Sequence, residues 1–356
     1  MISPLYKLGA PSIFHPSLLG WRMMKLAHLV LFLLVLVAVC RQPCSGQAIS
    51  ADNTALALYR SSWNPLTAGP QLITTADLLA PGKFFVKTYA YSEFGWAQYG
   101  EGWSTGTQPL QQHLSVVNPQ LEFDYGVTNS IQVDAYIPAV SWWQGPGGGQ
   151  PASHGVGVGD TTVDLRYRFL IQRPGTWRPS LTLVSYFALP TSSWFNTPST
   201  PGGFSPLGKL PSTHFGTPVL TESLSFRKNV RPFRVSGAVY YSYQIPSSKD
   251  GAAQRYGDIL QYRFAFEHVL NEKRGFGYAT EFIGVDGLPF RIDRASVTAG
   301  QKTFGVVGVQ PTVEYNLTHR IVSSVGVLFT AAGNHDIAGA FPNFSLYYYF
   351  GKVTPR

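Results

Sequence analysis

Only two cysteines, Cys40 and Cys44, occur in 356 residues, and charge is scarce: Asp, Glu, Lys and Arg make up 13% of the chain, against about 25% in an average soluble domain. Long apolar runs are absent too. The one continuously apolar stretch is residues 26–40, interrupted by His28, and its 15 residues fall short of the roughly 18–20 that a helix needs to cross a bilayer. A mean hydropathy of +0.00 excludes a bundle of membrane helices. Low charge combined with 14% aromatic residues excludes a disordered chain, whose composition runs the other way. What remains is a chain of many strands and turns, rich in glycine (36) and proline (26), whose surface need not be charged.

Arg22-Met23-Met24-Lys25 precede the apolar stretch and Ser45-Gly46-Gln47-Ala48 follow it. A basic flank, a short apolar core and a small-residue exit predict a secretory signal peptide cut after Ala48. Translation is expected to start at Met23 or Met24, with residues 1–22 an upstream misassignment. The alternative, an N-terminal membrane anchor, is disfavoured by length, and bulky Val39 before Cys40 and Pro43 before Cys44 argue against a lipoprotein. Cleavage would remove both cysteines, and with them disulfides, thiolate metal sites and a cysteine nucleophile. It would also remove Lys7, Arg22, Lys25 and Arg41 and no acid, so the formal charge of +8 drops by four to +4. The remaining basic residues are scattered, and nucleic acid is excluded as a partner.

The rest of the chain alternates with period two. In residues 257–271 Leu260, Tyr262, Phe264 and Phe266 share one parity, and Gln261, Arg263, Ala265 and Glu267 the other; a strand puts the two sets on opposite faces. Twelve such segments are predicted: 83–94, 112–124, 130–143, 157–172, 178–190, 214–228, 231–245, 257–271, 275–286, 303–316, 319–332 and 341–352. In the first, Lys87 shares the parity of Phe85 and Tyr89 and so interrupts the pattern. The connections alternate in length, short near 126–129, 173–177, 229–230, 272–274 and 317–318, and long near 95–111, 144–156, 191–213, 246–256, 287–302 and 333–340. Such parity, an even strand number and an apolar face on every strand predict an all-β fold, a closed antiparallel transmembrane barrel of about twelve strands with short periplasmic turns and long extracellular loops. The domain plan is a signal segment 1–48, an N-terminal segment 49–82 lying in the periplasm or packed in the lumen, the barrel 83–352 and a tail 353–356. A single helical turn is expected near residues 75–80. The last strand, with Phe344, Leu346, Tyr348 and Phe350 alternating, is similar to the aromatic C-terminal signal read by barrel-assembly machinery. Lipid and that machinery are the expected partners, with small solutes inside.

Residues 156–170 read V-G-V-G-D-T-T-V-D-L-R-Y-R-F-L, and residues 187–191 read F-A-L-P-T. Together they resemble the bacterial family labelled "MetA-pathway of phenol degradation", sharply over about 35 residues and loosely across 83–352; Ser192-Ser193 stand where that family's usual glycine follows P-T. The resemblance implies an outer-membrane barrel associated with transport, a channel for small solutes including aromatic or apolar ones, and no catalytic residues.

The inward parity carries Glu122, Asp124, Asp134, Asp164, Arg166, Arg168, Arg227, Arg234, Arg263, Glu267, Glu281 and Glu314. They form either an electrostatic lining that selects solutes or a mutually neutralising network that fills a narrow barrel. Gly157-x-Gly159-Asp160 has no lysine or helix after it for a phosphate loop; a tight strand start with Asp160 capping loop amides is the plainer role. His113-Leu114-Ser115 has the spacing of outer-membrane phospholipases, but Val116-Val117-Asn118-Pro119 replaces their following Asn-Gly. A lipid hydrolase using Ser115 and His113 is therefore the alternative to a channel, and a non-conducting structural or surface-binding barrel is the third reading. His335-Asp336 has no third ligand for a metal, and no cofactor is expected.

Overall fold

A computed structural model describes residues 47–198, 216–249, 252–255, 257–288, 291–292, 295–296 and 303–350. The expected signal segment, apart from Gln47 and Ala48, and the tail 353–356 lie outside the described residues. The chain divides into two compact units, and the second, Ala55–Arg356, holds the sheet. Helix α1 (Gln47–Ser61) is followed by irregular chain to residue 83, and then come the strands: β1 (Phe84–Tyr99), β2 (Thr107–Gly126), β3 (Ile131–Gln144), β4 (Ser153–Val158), β5 (Thr162–Leu170) and β6 (Ser180–Ala188). After a short helix α2 (Thr191–Trp194) follow β7 (Val219–Val230), β8 (Phe233–Gln244), β9 (Ser247–Lys249), β10 (Ala252–Arg255), β11 (Ile259–Asn271) and β12 (Phe276–Gly287). The last are β13 (Arg291–Ile292), β14 (Ala295–Ser296), β15 (Phe304–Asn316), β16 (Ile321–Asn334) and β17 (Ile337–Tyr349).

The main sheet is antiparallel and closed. Each strand pairs with its neighbours in order, and β1 pairs with β17 (Tyr89 opposite Ser345) as well as with β2 (Tyr89 opposite Gln120). β4 and β5 both pair with β3 and make one wall strand interrupted at residues 159–161. The barrel therefore has twelve strands. β9, β10, β13 and β14 form a separate small sheet from the two long connections that carry them.

Burial alternates residue by residue along the strands, as on β11, where Gln261, Arg263, Ala265 and Glu267 are buried and Leu260, Tyr262, Phe264 and Phe266 are exposed. Leu121, Ile137, Leu165, Tyr241, Phe282, Val313, Val325 and Phe344 are exposed as well. A soluble protein rarely shows a contiguous apolar patch beyond a few hundred Å², so this outward face is one that lipid solvates.

Most of the connections expected to be short are tight, while that between β5 and β6 runs over residues 171–179 and is longer than the expected 173–177. The β2–β3 and β15–β16 turns repeat one device: the Thr128 hydroxyl accepts from the Ser130 and Ile131 amides, and the Thr318 hydroxyl from those of Arg320 and Ile321. Two connections expected to be long are not. β1 runs on to Tyr99 and β2 starts at Thr107, while only His335 and Asp336 separate β16 from β17. Hydrophobic alternation marks the part of a strand that faces lipid, and these strands continue past that belt with polar outward positions such as Gln98 and Gln111. The expected helical turn near residues 75–80 is also absent, because the segment's amides and carbonyls bond to the barrel wall instead.

Candidate functional site

Residues 64–80 lie inside the barrel. The run from Thr67 to Thr74 is buried throughout, and the wall supplies its hydrogen bonds. Near its start, Arg234 on β8 donates to the Pro65 carbonyl and, at 3.1 Å, to Asn64 Oδ1. Asn316 at the end of β15 donates to the Leu66 carbonyl (2.8 Å). Glu267 on β11 accepts from the Thr67 hydroxyl (2.9 Å), and Glu314 on β15 from the Gly69 amide (2.6 Å). At the deepest point Glu281 on β12 accepts from both the Gln71 and Leu72 amides (2.9 and 2.8 Å). Arg263 on β11 donates to the Leu72 carbonyl and stacks over Tyr240. The returning limb is held by Tyr240 and Tyr186 at Thr74 (2.9 and 2.6 Å), by Thr182 at the Ala76 carbonyl (2.7 Å) and by Gln132 at the Leu79 amide (2.7 Å). Leu72 packs among Tyr89, Tyr91, Ile283 and Phe341, and Ile73 among Tyr136, Val184, Tyr186 and Tyr240. An irregular backbone is tolerated there because polar side chains of the wall answer its amides and carbonyls.

All twelve acidic and basic residues expected on the inward face are buried inside the barrel, and they sort by task. Glu267, Glu281, Glu314, Arg227, Arg234 and Arg263 hold the lumen segment, Arg227 through Asp77 at 3.3 Å. Burial works against ionisation of Asp77, but Arg227, the Tyr59 hydroxyl and Arg168 together hold its carboxyl below the usual range. Burial and the Asp77 charge push the Tyr59 hydroxyl up. A second group pairs within the wall. Asp134 and Asp164 face each other across β3 and β5 with Arg166 between them, and Tyr136 donates to Asp164 and accepts from Arg166 (2.8 and 2.7 Å). Like charges directly opposite destabilise a sheet, so the arginine and tyrosine are required there. Glu122, Asp124 and Arg168 stand nearer the turn-side rim, where Arg168 donates to the Asn129 carbonyl (2.7 Å).

A cavity of about 660 Å³ opens at that rim beside the lumen segment, lined by Lys87, Glu122, Asp124, Arg227, Tyr347 and Tyr349 among others. Lys87, the residue that broke the apolar parity of the first segment, faces inward with Phe85 and Tyr89; its ammonium lies 3.6 Å from Glu122 and over the Tyr347 ring. Gln132, Gln310, Asn343, Tyr186 and Tyr240 also belong to the site and were missed, although their inward parity marks them; Gln71, on the lumen segment, carries no such mark.

Asp160 behaves as its sequence context indicated. Its carboxylate accepts from the Ser192 amide and hydroxyl (3.0 and 2.5 Å) and from the Gly216 amide (2.8 Å), and Thr191 donates to the Gly159 carbonyl (2.5 Å). The two motifs that carry the family resemblance thus bind each other and anchor the chain after β6. His113 and Ser115 share the outward face of β2, with Phe94 and Trp143 as Ser115's cross-strand neighbours. Among the described residues no hydrogen bond joins the two and no third side chain orients the imidazole, so the geometry of nucleophile, base and orienting group is missing. No group of potential metal ligands occurs among the described residues.

No protein-family model matches the chain, and no curated protein matches it. Solved structures similar to it include an outer membrane channel from Pseudomonas putida F1, at TM-score 0.61 and 13% identity over 80% of this chain and 100% of that one. The chain has the fold of an outer-membrane β-barrel. Lower similarity is found to the NanC porin (TM-score 0.39, 9% identity, 75% and 100% coverage) and to a mutant of TodX, a monoaromatic hydrocarbon channel (0.36, 10%, 80% and 94%); neither adds to the fold assignment.

Proposed function

We propose that this protein is a non-enzymatic channel in the outer membrane of a double-membraned bacterium, passing small solutes, aromatic and apolar ones among them, when residues 64–80 shift within the lumen. One observation carries this reading. The segment that fills the barrel is held only by non-covalent bonds to the wall, and a cavity already opens beside it at the turn-side rim. Hydrogen bonds to charged groups contribute about 1.5–3 kcal/mol each, and water can replace each of them as the segment moves. β17, which closes the ring against β1, is the strand that barrel-assembly machinery would read.

Planar-bilayer recordings of the full chain and of a variant lacking residues 64–80 test the proposal. The deletion is expected to raise conductance several-fold, and liposome swelling with a panel of aromatics and sugars then ranks the solutes. Absence of conductance in both proteins, with the barrel intact, would overturn the channel reading and favour the non-conducting structural barrel that the filled lumen also fits.

A further inference from the structure

Two carboxylates meet inside the lumen with too few donors between them. Glu267 on β11 and Glu314 on β15 flank β12, where the residues paired with them are Ala279 and Gly277. The two acidic side chains converge on one turn of the lumen segment, Thr67 to Gly69, where the Gly69 amide also donates to the Thr67 hydroxyl (3.2 Å). Oε1 of Glu267 already accepts from Arg234 Nη1 (2.7 Å) and the Thr67 hydroxyl (2.9 Å), and Oε2 of Glu314 from the Gly69 amide (2.6 Å). The remaining oxygens, Glu267 Oε2 and Glu314 Oε1, are buried and receive no protein donor. A hydrogen bond between two carboxyl groups requires a proton, and a single proton between these two satisfies both orphaned oxygens. The charged groups around the pair are Arg234 on β8 and Arg227 on β7, the latter paired with Asp77 of the lumen segment, on which Arg168 also acts.

We propose that Glu267 and Glu314 form a proton-operated latch: one proton shared between them fastens residues 67–69 in the lumen, and its release frees them. Loss of the proton leaves two touching anions in a low-dielectric interior, a state relieved by separation and hydration. Because each anion also holds the segment, at Thr67 and Gly69, separation moves the segment. The closed state thus carries one proton more than the open state, and acid closes while alkali opens. This rests on the displaceable-segment reading above.

The full-length protein in planar bilayers is recorded over a pH series beside Glu314→Gln, whose amide supplies permanently the donor that the proton supplies in the native pair. For the native protein the ratio of open to closed channels is expected to rise with pH by up to about tenfold per unit, the limit for one coupled proton. In Glu314→Gln that dependence is expected to vanish with the closed state favoured. Infrared spectra in detergent give a readout independent of flux: a protonated-carboxyl carbonyl band at neutral pH that is lost in Glu314→Gln and in Glu267→Gln, beside the band that Asp336 contributes and both variants keep. A pH slope unchanged in Glu314→Gln, or no such band in the native protein, overturns the latch. A protein that shows the band yet never conducts keeps the proton site and refutes the channel.

Discussion

At the scale of single residues, the lumen depends on a few groups that each answer two demands. Glu281 is the sharpest case, since its carboxylate accepts from two successive backbone amides, Gln71 and Leu72. Glu281→Ala leaves both amides buried without an acceptor, at about 1–3 kcal/mol each. The expected outcome is higher conductance and faster proteolysis within residues 64–80, with the barrel intact. Asp336, in the turn between β16 and β17, responds to pH instead. Burial, reinforced by nearby Glu93, pushes its carboxyl from 3.8 up to about 8. A folded-state value above the unfolded one means that the fold favours the protonated form. That contribution is whole at acidic pH and is lost as pH rises towards 8, at up to about 1.4 kcal/mol per unit. Protection of the Ile337 and Tyr99 amides, which bond to Asp336, measured relative to each amide's intrinsic exchange rate, should therefore fall between pH 6 and 8, and Asp336→Asn should abolish the fall.

At the scale of elements, one connection is fastened by a single carboxylate. Asp160→Ala removes the acceptor for Ser192 and Gly216, and limited proteolysis after β6 should become markedly faster while the strand ladder survives. The strands themselves were legible from alternation wherever one face meets lipid, because the period of the pattern is the period of the pleat. β11 matches its expected segment 257–271 closely for that reason. The distal half of β2 was not legible, since both of its faces are polar enough to lose the contrast, and at the end of β1 apolar Ala97 and Tyr99 face inward while Gln98 faces out, which inverts it. The break between β4 and β5 was hidden as well: the expected segment 157–172 ran across it, and only Asp160 turning to bind Ser192 and Gly216 shows why the ladder is interrupted there. Lys87 looked like an error in its strand and is an inward residue whose partner, Glu122, sits on the neighbouring strand.

At the scale of the molecule, closure follows from β1 pairing with both β2 and β17, and a closed ladder has no edge to fray. The folded protein is expected to partition with detergent and to run differently on a gel before and after boiling; solubility without detergent, together with unchanged migration, would contradict the membrane barrel. The inward charges could be enumerated from parity, but their task could not. Half of them are occupied by residues 64–80, a segment with no periodicity of its own whose conformation is dictated by the wall around it.

That segment enters and leaves by the same rim. Arg60, before it, donates to Asn129 in the β2–β3 turn, and Gly82, after it, donates to the Gly126 carbonyl at the end of β2 (2.8 Å). The path is a hairpin pushed into a ring, not a thread drawn through it, so withdrawing it would require no strand pairing to break and no chain end to cross the membrane. A tug on the chain ahead of Asn64 would load the contacts in series, Arg234 first and Glu281 later, as adhesive tape peels from one corner. The force needed is then set by the strongest single contact and not by the sum of all of them.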